Sequence, residues 1–388
     1  MTFEPVVATD SAIRRPTYAE IDLDRLSANY RAIDEATGES KMLPVLKANA
    51  YGHGLVEIAS HLESLKPAGF GVAFLEEGVL LRDAGITAPI LVMGGLDNAQ
   101  IPHFLAHDLT MTASSVFKLR EIERVAADTD ATASVHLKID TGMGRIGMRP
   151  ESADELFSAG LESQHIEVQA VYSHFATADE ADRNATNVQL DRFLESVSFY
   201  ERGGHPVPDL HIANSGGVLQ HPDSHLDMVR PGILLFGVYP SEGVERTIEV
   251  SPTLTWKSQV AYFKVQPAGE PVSYGSTWRP TRDSRVVTIP AGYGDGYFRA
   301  LSNKGEVIIG GRRLPIVGRV CMDQFMVDIG PEGTAYNGDE VILLGTEGDH
   351  SVTVEDIAAW ADTIPYEVLT NINTRVSRVY RGTMAPRP

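Results

Sequence analysis

The chain has 388 residues, 43% of them apolar, yet no unbroken apolar run of about 18 residues such as crosses a membrane. Lysine and arginine number 33 against 52 aspartates and glutamates, a formal net charge of −19, which repels phosphate backbones and argues against nucleic-acid binding. The one cysteine, Cys321, excludes an internal disulfide framework and fits a reducing, cytoplasmic setting.

The length suits two domains. The opening MTFEPVVATDSAIRRPTYAE lacks the apolar core of a secretion signal and reads as loose through about residue 15. Residues 18–22 alternate, and Asp24 is expected to cap a helix carrying Leu26, Tyr30 and Ile33. Short apolar runs then recur at 43–46, 70–74, 89–93, 109–113, 135–139, 168–172, 210–213 and 226–229. Most precede an amphipathic stretch, such as 55–65, 76–84, 115–126 or 186–201. Eight strand-then-helix units in about 240 residues are what a (β/α)8 TIM-type barrel requires, although a doubly wound sheet would show the same alternation. Beyond residue 240 the pattern changes to β-rich runs at 253–265, 285–289, 306–309, 316–320, 325–329 and 340–344. A helix at 354–362 capped by Thr353 and a last strand at 375–380 complete the tail. The expected fold class is therefore α/β, with a barrel over 1–240 followed by a mostly β domain over 241–388.

A barrel places its active site at the carboxyl ends of its strands, and the unusual polar residues fall there. Lys47 follows the first run, Lys138 and Arg145 surround the fifth, and His174 follows the sixth. Asn214 and Ser215 follow the seventh run, and Arg230 the eighth. A lysine that ends a buried strand can point its amine into a cleft and form a Schiff base with a carbonyl cofactor. The stretch Asn214-Ser215-Gly216-Gly217, with Arg230-Pro231-Gly232-Ile233, suits a phosphate site built from backbone N–H groups and the Ser215 hydroxyl, with Tyr51 reaching in from the first loop.

Gly142 to Gly147 spell G-x-G-x-x-G, but Pro150 follows and the next helix begins near Glu151. A dinucleotide fingerprint needs the helix to open inside the motif, so these glycines read as loop formers that aim Arg145. His103 with His107, and His221 with His225, are spaced four apart but lack a third ligand, and no metal is expected. His53 and His61 read the same way.

LKANAYGHG (46–54) resembles the cofactor-lysine motif of the alanine racemases. KIDTGMGRIG (138–147), YSHFATADE (172–180), ANSGG (213–217), VRPGI (229–233), SYG (273–275), GYGDGY (292–297) and VGRVCMDQ (317–324) carry the likeness over nearly the whole chain. The resemblance implies pyridoxal 5'-phosphate, alanine as substrate, and a homodimer with shared active sites. It implies two bases acting on an external aldimine, Lys47 and Tyr274, in an enzyme supplying D-alanine for peptidoglycan. His174 is placed against the cofactor ring and Arg230 against the pyridine nitrogen, with His211 orienting the arginine. An arginine stays protonated and cannot turn the ring into the strong electron sink that a carboxylate would. A tyrosine phenol titrates near ~10 in water, and a neighbouring cation makes it a better base. The resemblance pairs Arg145 with Tyr274 for this, and matches Lys138 to a lysine often carbamylated in these enzymes. Met322 is implied at the substrate carboxylate, with Cys321 and Asp323 supporting it. Asp179, Tyr293, Arg299 and Arg319 match the access channel. One departure is Thr374, where some members carry a tyrosine reaching the phosphate.

The alternatives are a racemase of broader specificity, a basic amino-acid decarboxylase of similar architecture, and a barrel that merely stores the cofactor. The decarboxylase would present a carboxylate where Arg230 stands, and the storage protein would lack the tail that carries Tyr274.

Overall fold

The computed structural model describes residues 15–383, so most of the stretch expected to be loose lies outside the described residues. The chain divides into two compact units, each built from separated segments. One comprises Leu26–Ala50 and Gly54–Ser251; the other takes the described residues up to Arg25, Tyr51–His53 and Pro252–Thr383.

The first strand, β1 (Tyr18–Asp22), belongs to the second unit. The eight strands that follow build the first. These are β2 (Lys41–Met42), β3 (Phe70–Val72), β4 (Ile90–Val92), β5 (Thr110–Ala113), β6 (Ala133–Lys138), β7 (Ile166–Tyr172), β8 (Asp209–His211) and β9 (Met228–Val229). From β3 to β8 they pair in sequence order, all parallel. β2 pairs parallel with β9. The remaining seams close through a few backbone bonds each. Val45 bridges Gly71 on one side, and on the other Asp227 N–H donates to Leu210 O (3.1 Å) and Arg230 N–H to Ala213 O (3.0 Å). The ring is a closed (β/α)8 TIM-type barrel, with no free edge. Several ladders are shorter than the apolar runs, whereas β6 and β7 are longer. Beyond β2 the stretch 43–46 continues through alternate bonds, Leu43 N–H on Val229 O and Val45 N–H on Pro231 O on one side, and Pro44 O and Leu46 N–H with Gly71 on the other.

The crossover helices follow their apolar spacing: Leu55–Glu63, Leu75–Asp83, Val116–Asp128 and Asn184–Gly203. Ser115 caps the third of these by accepting from Lys118 N–H at 3.2 Å. The helix Leu23–Thr37 departs from expectation. Asp22, not Asp24, takes the first-turn N–H of Arg25 (2.9 Å), and Asp24 instead accepts from Thr383 N–H (3.2 Å).

The second unit is a ten-stranded sheet. Its strands are β1 and β10 (Leu254–Gln259), β11 (Tyr262–Gln266), β12 (Ser284–Ile289), β13 (Glu306–Ile309), β14 (Arg312–Val317), β15 (Phe325–Gly330), β16 (Glu340–Glu347), β17 (His350–Val352) and β18 (Ser377–Arg381). The order runs β11-β12-β15-β14-β13-β16-β10-β1-β18, with β17 paired to β16. β1 lies between β10, antiparallel, and β18, parallel. The expected single run at 253–265 is two strands, because β10 pairs with β16 while β11 pairs with β12. Thr353 caps the helix Val354–Ala361 in a reciprocal box with Asp356. A second helix, Pro365–Asn371, was not legible in the sequence pattern.

Candidate active site

Lys47 stands where the chain leaves the barrel ring, just after Leu46 N–H donates to Gly71 O (2.8 Å). The next residues turn left-handed: φ is +54° at Ala48, +57° at Asn49, +51° at Ala50 and +51° at Tyr51. Each L-residue there costs about 1–2 kcal/mol, so the turn needs support. Glu77 supplies part of it. Its carboxylate accepts from Ala48 N–H (2.6 Å) and from Ala73 N–H (2.8 Å), tying the ends of two strand segments together. Asn49 accepts from Leu55 N–H (2.9 Å), which anchors the following helix. Small side chains at 48 and 50 suit this conformation, and the turn fixes where the Lys47 amine is presented. Burial, followed by the Arg145 charge, lowers the Lys47 pKa from 10.5, with Glu77 opposing and Arg230 adding to the depression. The shift is toward the neutral amine, the form that attacks a carbonyl.

Inside the barrel the cations are closely spaced. Lys138 is 4% exposed, and its amine lies 4.0 Å from the centroid of the Tyr172 ring. Burial, then Arg230 and Arg145, push its pKa well below 10.5. Arg230 is 2% exposed. One terminal nitrogen lies 2.7 Å from His211 Nδ1; the other donates to Ser173 O (2.8 Å) and Ile212 O (3.0 Å) and lies 3.4 Å from His174 Nδ1. No hydrogen bond of Arg230 among the described residues uses Nε–H. Burial lowers its pKa to about 10, which leaves it cationic near neutrality. His174 and His211 are driven well below 6.5, first by burial and then by Arg230, so both are neutral. Tyr172 stacks on His211 with ring centroids 4.8 Å apart, and burial raises its phenol to about 12.

The loops after the strands complete this side. Asp140 accepts backbone N–H bonds from Gly142, Gly144 and Arg145, all at 3.0 Å, and so shapes the loop that carries the exposed Arg145 side chain. Asn214 caps the helix Ser215–Gln220 by accepting from Gly217 N–H at 3.0 Å. Ser215 Oγ accepts from Gly232 N–H (3.0 Å) and Leu234 N–H (3.3 Å), one step either side of Ile233. With both lone pairs taken, the Ser215 hydroxyl proton remains to donate to an anion. The Asp179 carbonyl accepts from Ser241 Oγ, and the Asp179 backbone packs against Gly216.

The β-rich unit gathers a second set. Tyr274 is 70% exposed at the tip of a turn whose neighbours Ser273, Gly275 and Ser276 all have positive φ. Ser273 Oγ donates to Arg319 O (2.6 Å) and lies 3.6 Å from Cys321 Sγ. A Cβ at Gly275 would stand 3.0 Å from the Arg319 guanidinium, so that arginine underlies the turn. Tyr293 N–H donates to Cys321 O (3.0 Å) and Gly294 N–H to Met322 O (2.8 Å), which holds Met322 outward, 53% exposed. Arg375 ties Asp323 (2.6 Å) to the buried Asp295 (2.7 Å). Thr374 is exposed and its hydroxyl donates to Asn373, and Arg299 is exposed in a short 3-10 turn. The Tyr51 ring lies 6.2 Å from that of Tyr366, within the same unit.

Three residues of this region were not read from the sequence: Glu77, Tyr172 and His136. The signal for His136 was present. It lies two residues before Lys138 on β6, and alternate residues of a strand share a face. The paired histidines elsewhere bond to backbone: His107 Nδ1 is 2.8 Å from His103 O, and His225 Nε2 is 3.1 Å from Val218 O. Among the described residues, no group of three or more His, Cys, Asp or Glu could hold a metal ion.

The barrel-side residues fit pyridoxal phosphate. A lysine of lowered pKa could take its aldehyde, the Ser215 hydroxyl and nearby backbone could take its phosphate, and the Nε–H of Arg230 would suit an unprotonated pyridine nitrogen.

Comparison with known proteins agrees. The sequence models of the alanine racemase N-terminal and C-terminal domains match residues 21–240 and 253–380. An alanine racemase of Halothermothrix orenii is 40% identical over 371 residues, which are 95% of this chain and 98% of that protein. The structure resembles that of an alanine racemase from Clostridium difficile 630 with a TM-score of 0.90 and 39% identity, over 95% of this chain and 96% of the other. It also resembles, at TM-score 0.86 and 29% identity, an alanine racemase from Bartonella henselae with covalently bound pyridoxal phosphate, over 95% of this chain and all of that one. The chain belongs to the alanine racemase family, the pyridoxal-phosphate-dependent isomerases that interconvert L- and D-alanine.

Proposed function

We propose that Lys47 and Tyr274 are the two bases of this reaction, standing on opposite faces of the substrate Cα. Pyridoxal phosphate, when bound, supplies an electron sink conjugated with that carbon. The Lys47 amine takes or returns a proton at Cα on one face, and the Tyr274 phenolic oxygen does so on the other. Each base contributes roughly 10²–10⁴ in rate. Arg145 and Met322 receive the substrate carboxylate, with Cys321 and Asp323 supporting that loop. Ser215, Asn214, Gly232, Ile233 and Tyr51 hold the phosphate, and neutral His174 lies against the ring. Arg230 keeps the pyridine nitrogen unprotonated and His211 orients it. Lys138, once its neutral amine has taken up carbon dioxide and lost a proton, becomes an anion that orients Arg145. Asp179, Tyr293, Arg299 and Arg319 line the access channel. Of the two portions expected from the sequence, 1–240 carries the cofactor and 241–388 the second base. The protein works as a cytoplasmic homodimer with shared sites, making D-alanine for peptidoglycan.

The observation that carries this reading is Arg230 pinned by His211, Ser173 and Ile212 with Nε–H left over. A guanidinium only donates hydrogen bonds, so it cannot accept from a protonated pyridine nitrogen in the way a decarboxylase carboxylate would. The test is chiral analysis of the holoenzyme given alanine, serine or ornithine, with Tyr274→Phe assayed in deuterated water. Either alanine enantiomer should yield the racemate, and the variant should lose exchange at Cα from one enantiomer far more than from the other. Carbon dioxide release from ornithine, or equal losses for both enantiomers, would refute the assignment.

A further inference from the structure

The hydrogen bonds of Arg230 continue past His211 to a residue with no role above. His211 Nε2 lies 3.0 Å from His136 Nδ1, and both side chains are buried. Their rings meet edge-on with centroids 5.1 Å apart. Arg230 has only donors, so His211 Nδ1 must accept. A neutral imidazole with Nδ1 bare carries its proton on Nε2, and that proton points at His136 Nδ1. The direction of every bond in the row is thereby set: Arg230 to His211, His211 to His136. His136 also lines a cavity of about 260 Å³ with Lys41, Gln169, Asp209 and Met228. Lys41, Asp209 and Met228 are the first residues of their strands, whereas Arg230 follows the last one. The row therefore runs through the barrel, from its amino-terminal cavity to the carboxyl-terminal end.

We propose that His136 is a positioning residue: by accepting the Nε2 proton of His211 it locks the tautomer that presents a bare Nδ1 to Arg230. The proposal rests on the reading that Arg230 faces the cofactor ring. If His211 carried its proton on Nδ1, that proton would meet the guanidinium donor and push Arg230 away from its place. Burial holds His136 down at about pKa 3, with Arg230 adding to it, so its Nδ1 stays an acceptor across the working range.

The experiment uses cofactor-free protein labelled with nitrogen isotope in histidine. Long-range proton–nitrogen correlation spectra report which ring nitrogen of His211 is protonated, with the signal assigned by its loss in His211→Asn. The wild type should show His211 protonated on Nε2 alone; a proton on Nδ1 overturns the proposal. His136→Leu should give a mixture of His211 tautomers. His136→Asn, whose amide oxygen falls near the place of Nδ1, should keep the single form. In the holoenzyme, His136→Leu should lower kcat by about tenfold with KM for alanine little changed, the size of one lost hydrogen bond. His136→Asn should recover most of that loss; equal losses in the two variants overturn the proposal. Should His136→Leu fail to fold, the wild-type and His136→Asn spectra still decide the tautomer. A tautomer shift with unchanged kcat would leave the relay intact and sink the reading of Arg230 on which its use depends.

Discussion

Lys138 poses a physical problem, because it is an almost fully buried amine between two arginines with only Asp140 to offset them. In the unfolded chain it is charged below about 10.5, while in the folded barrel the charged form is disfavoured. Its penalty is therefore full at low pH, shrinks as the pH rises from the lowered folded value, and vanishes above 10.5. In carbonate-free, cofactor-free protein, Lys138→Met should raise the melting temperature by roughly 3 °C or more near neutrality, the gap closing as the pH approaches the ordinary lysine value. Bicarbonate should then stabilise the wild type and leave the variant unmoved, since only a lysine can be turned into an anion facing Arg145 and Arg230. A variant that melts lower at every pH, or a wild type indifferent to bicarbonate, would count against this account. The position of Lys138 was legible as a strand end; that among the described residues no carboxylate forms an ion pair with it was not, because that depends on which loops surround it.

Among the elements, the short helix Ser215–Gln220 is set by close backbone approach. A Cβ at Gly216 would come within 2.7 Å of the Ala178 carbonyl and 2.8 Å of Asp179 N, so backbone must move. At Gly217 the neighbours are side chains, Ala213 and Phe175, at 3.1–3.3 Å. Gly216→Ala should cost about 1–3 kcal/mol of stability and weaken pyridoxal phosphate binding by displacing Ser215, and Gly217→Ala should cost less. Thermal unfolding with and without cofactor, and cofactor titration, would measure both. The reverse order of damage would show that Ser215 is not held by this contact. The motif ANSGG announced a tight turn, but it did not say that Ala178 stood against it.

For the whole protein, the proposed sharing of each site between two chains has a direct test. In a two-fold dimer with shared sites, a mixed dimer of Lys47→Ala and Tyr274→Phe chains has one site with both lesions and one with none. Random re-pairing of equal amounts makes half the dimers mixed, so roughly a quarter of all sites should regain full activity. Refolding the two variants together and assaying racemisation decides it. No recovery, with mixed dimers confirmed by mass, would put both bases in the same chain or remove Tyr274 from the site. Among the described residues no helix is long and apolar enough to cross a membrane.

What could be read along the chain was whatever depends on near neighbours: the alternation of strand and helix, the Thr353 cap, and Lys47, His174 and Arg230 at strand ends. Partner choice over long separations had to await the fold. The alternating stretch Tyr18–Asp22 looks like any strand, and only pairing with β10 and β18, more than 200 residues on, puts it in the β-rich sheet. Asp22 and Asp24 are equally good capping residues by type, and the choice between them followed where the helix began. The left-handed turn after Lys47 is held by Glu77, and nothing local in KANAY favours four positive φ angles in a row. His136 is an ordinary strand residue until β6 and β8 set it against His211, because side-chain period reveals a face but never what that face will meet.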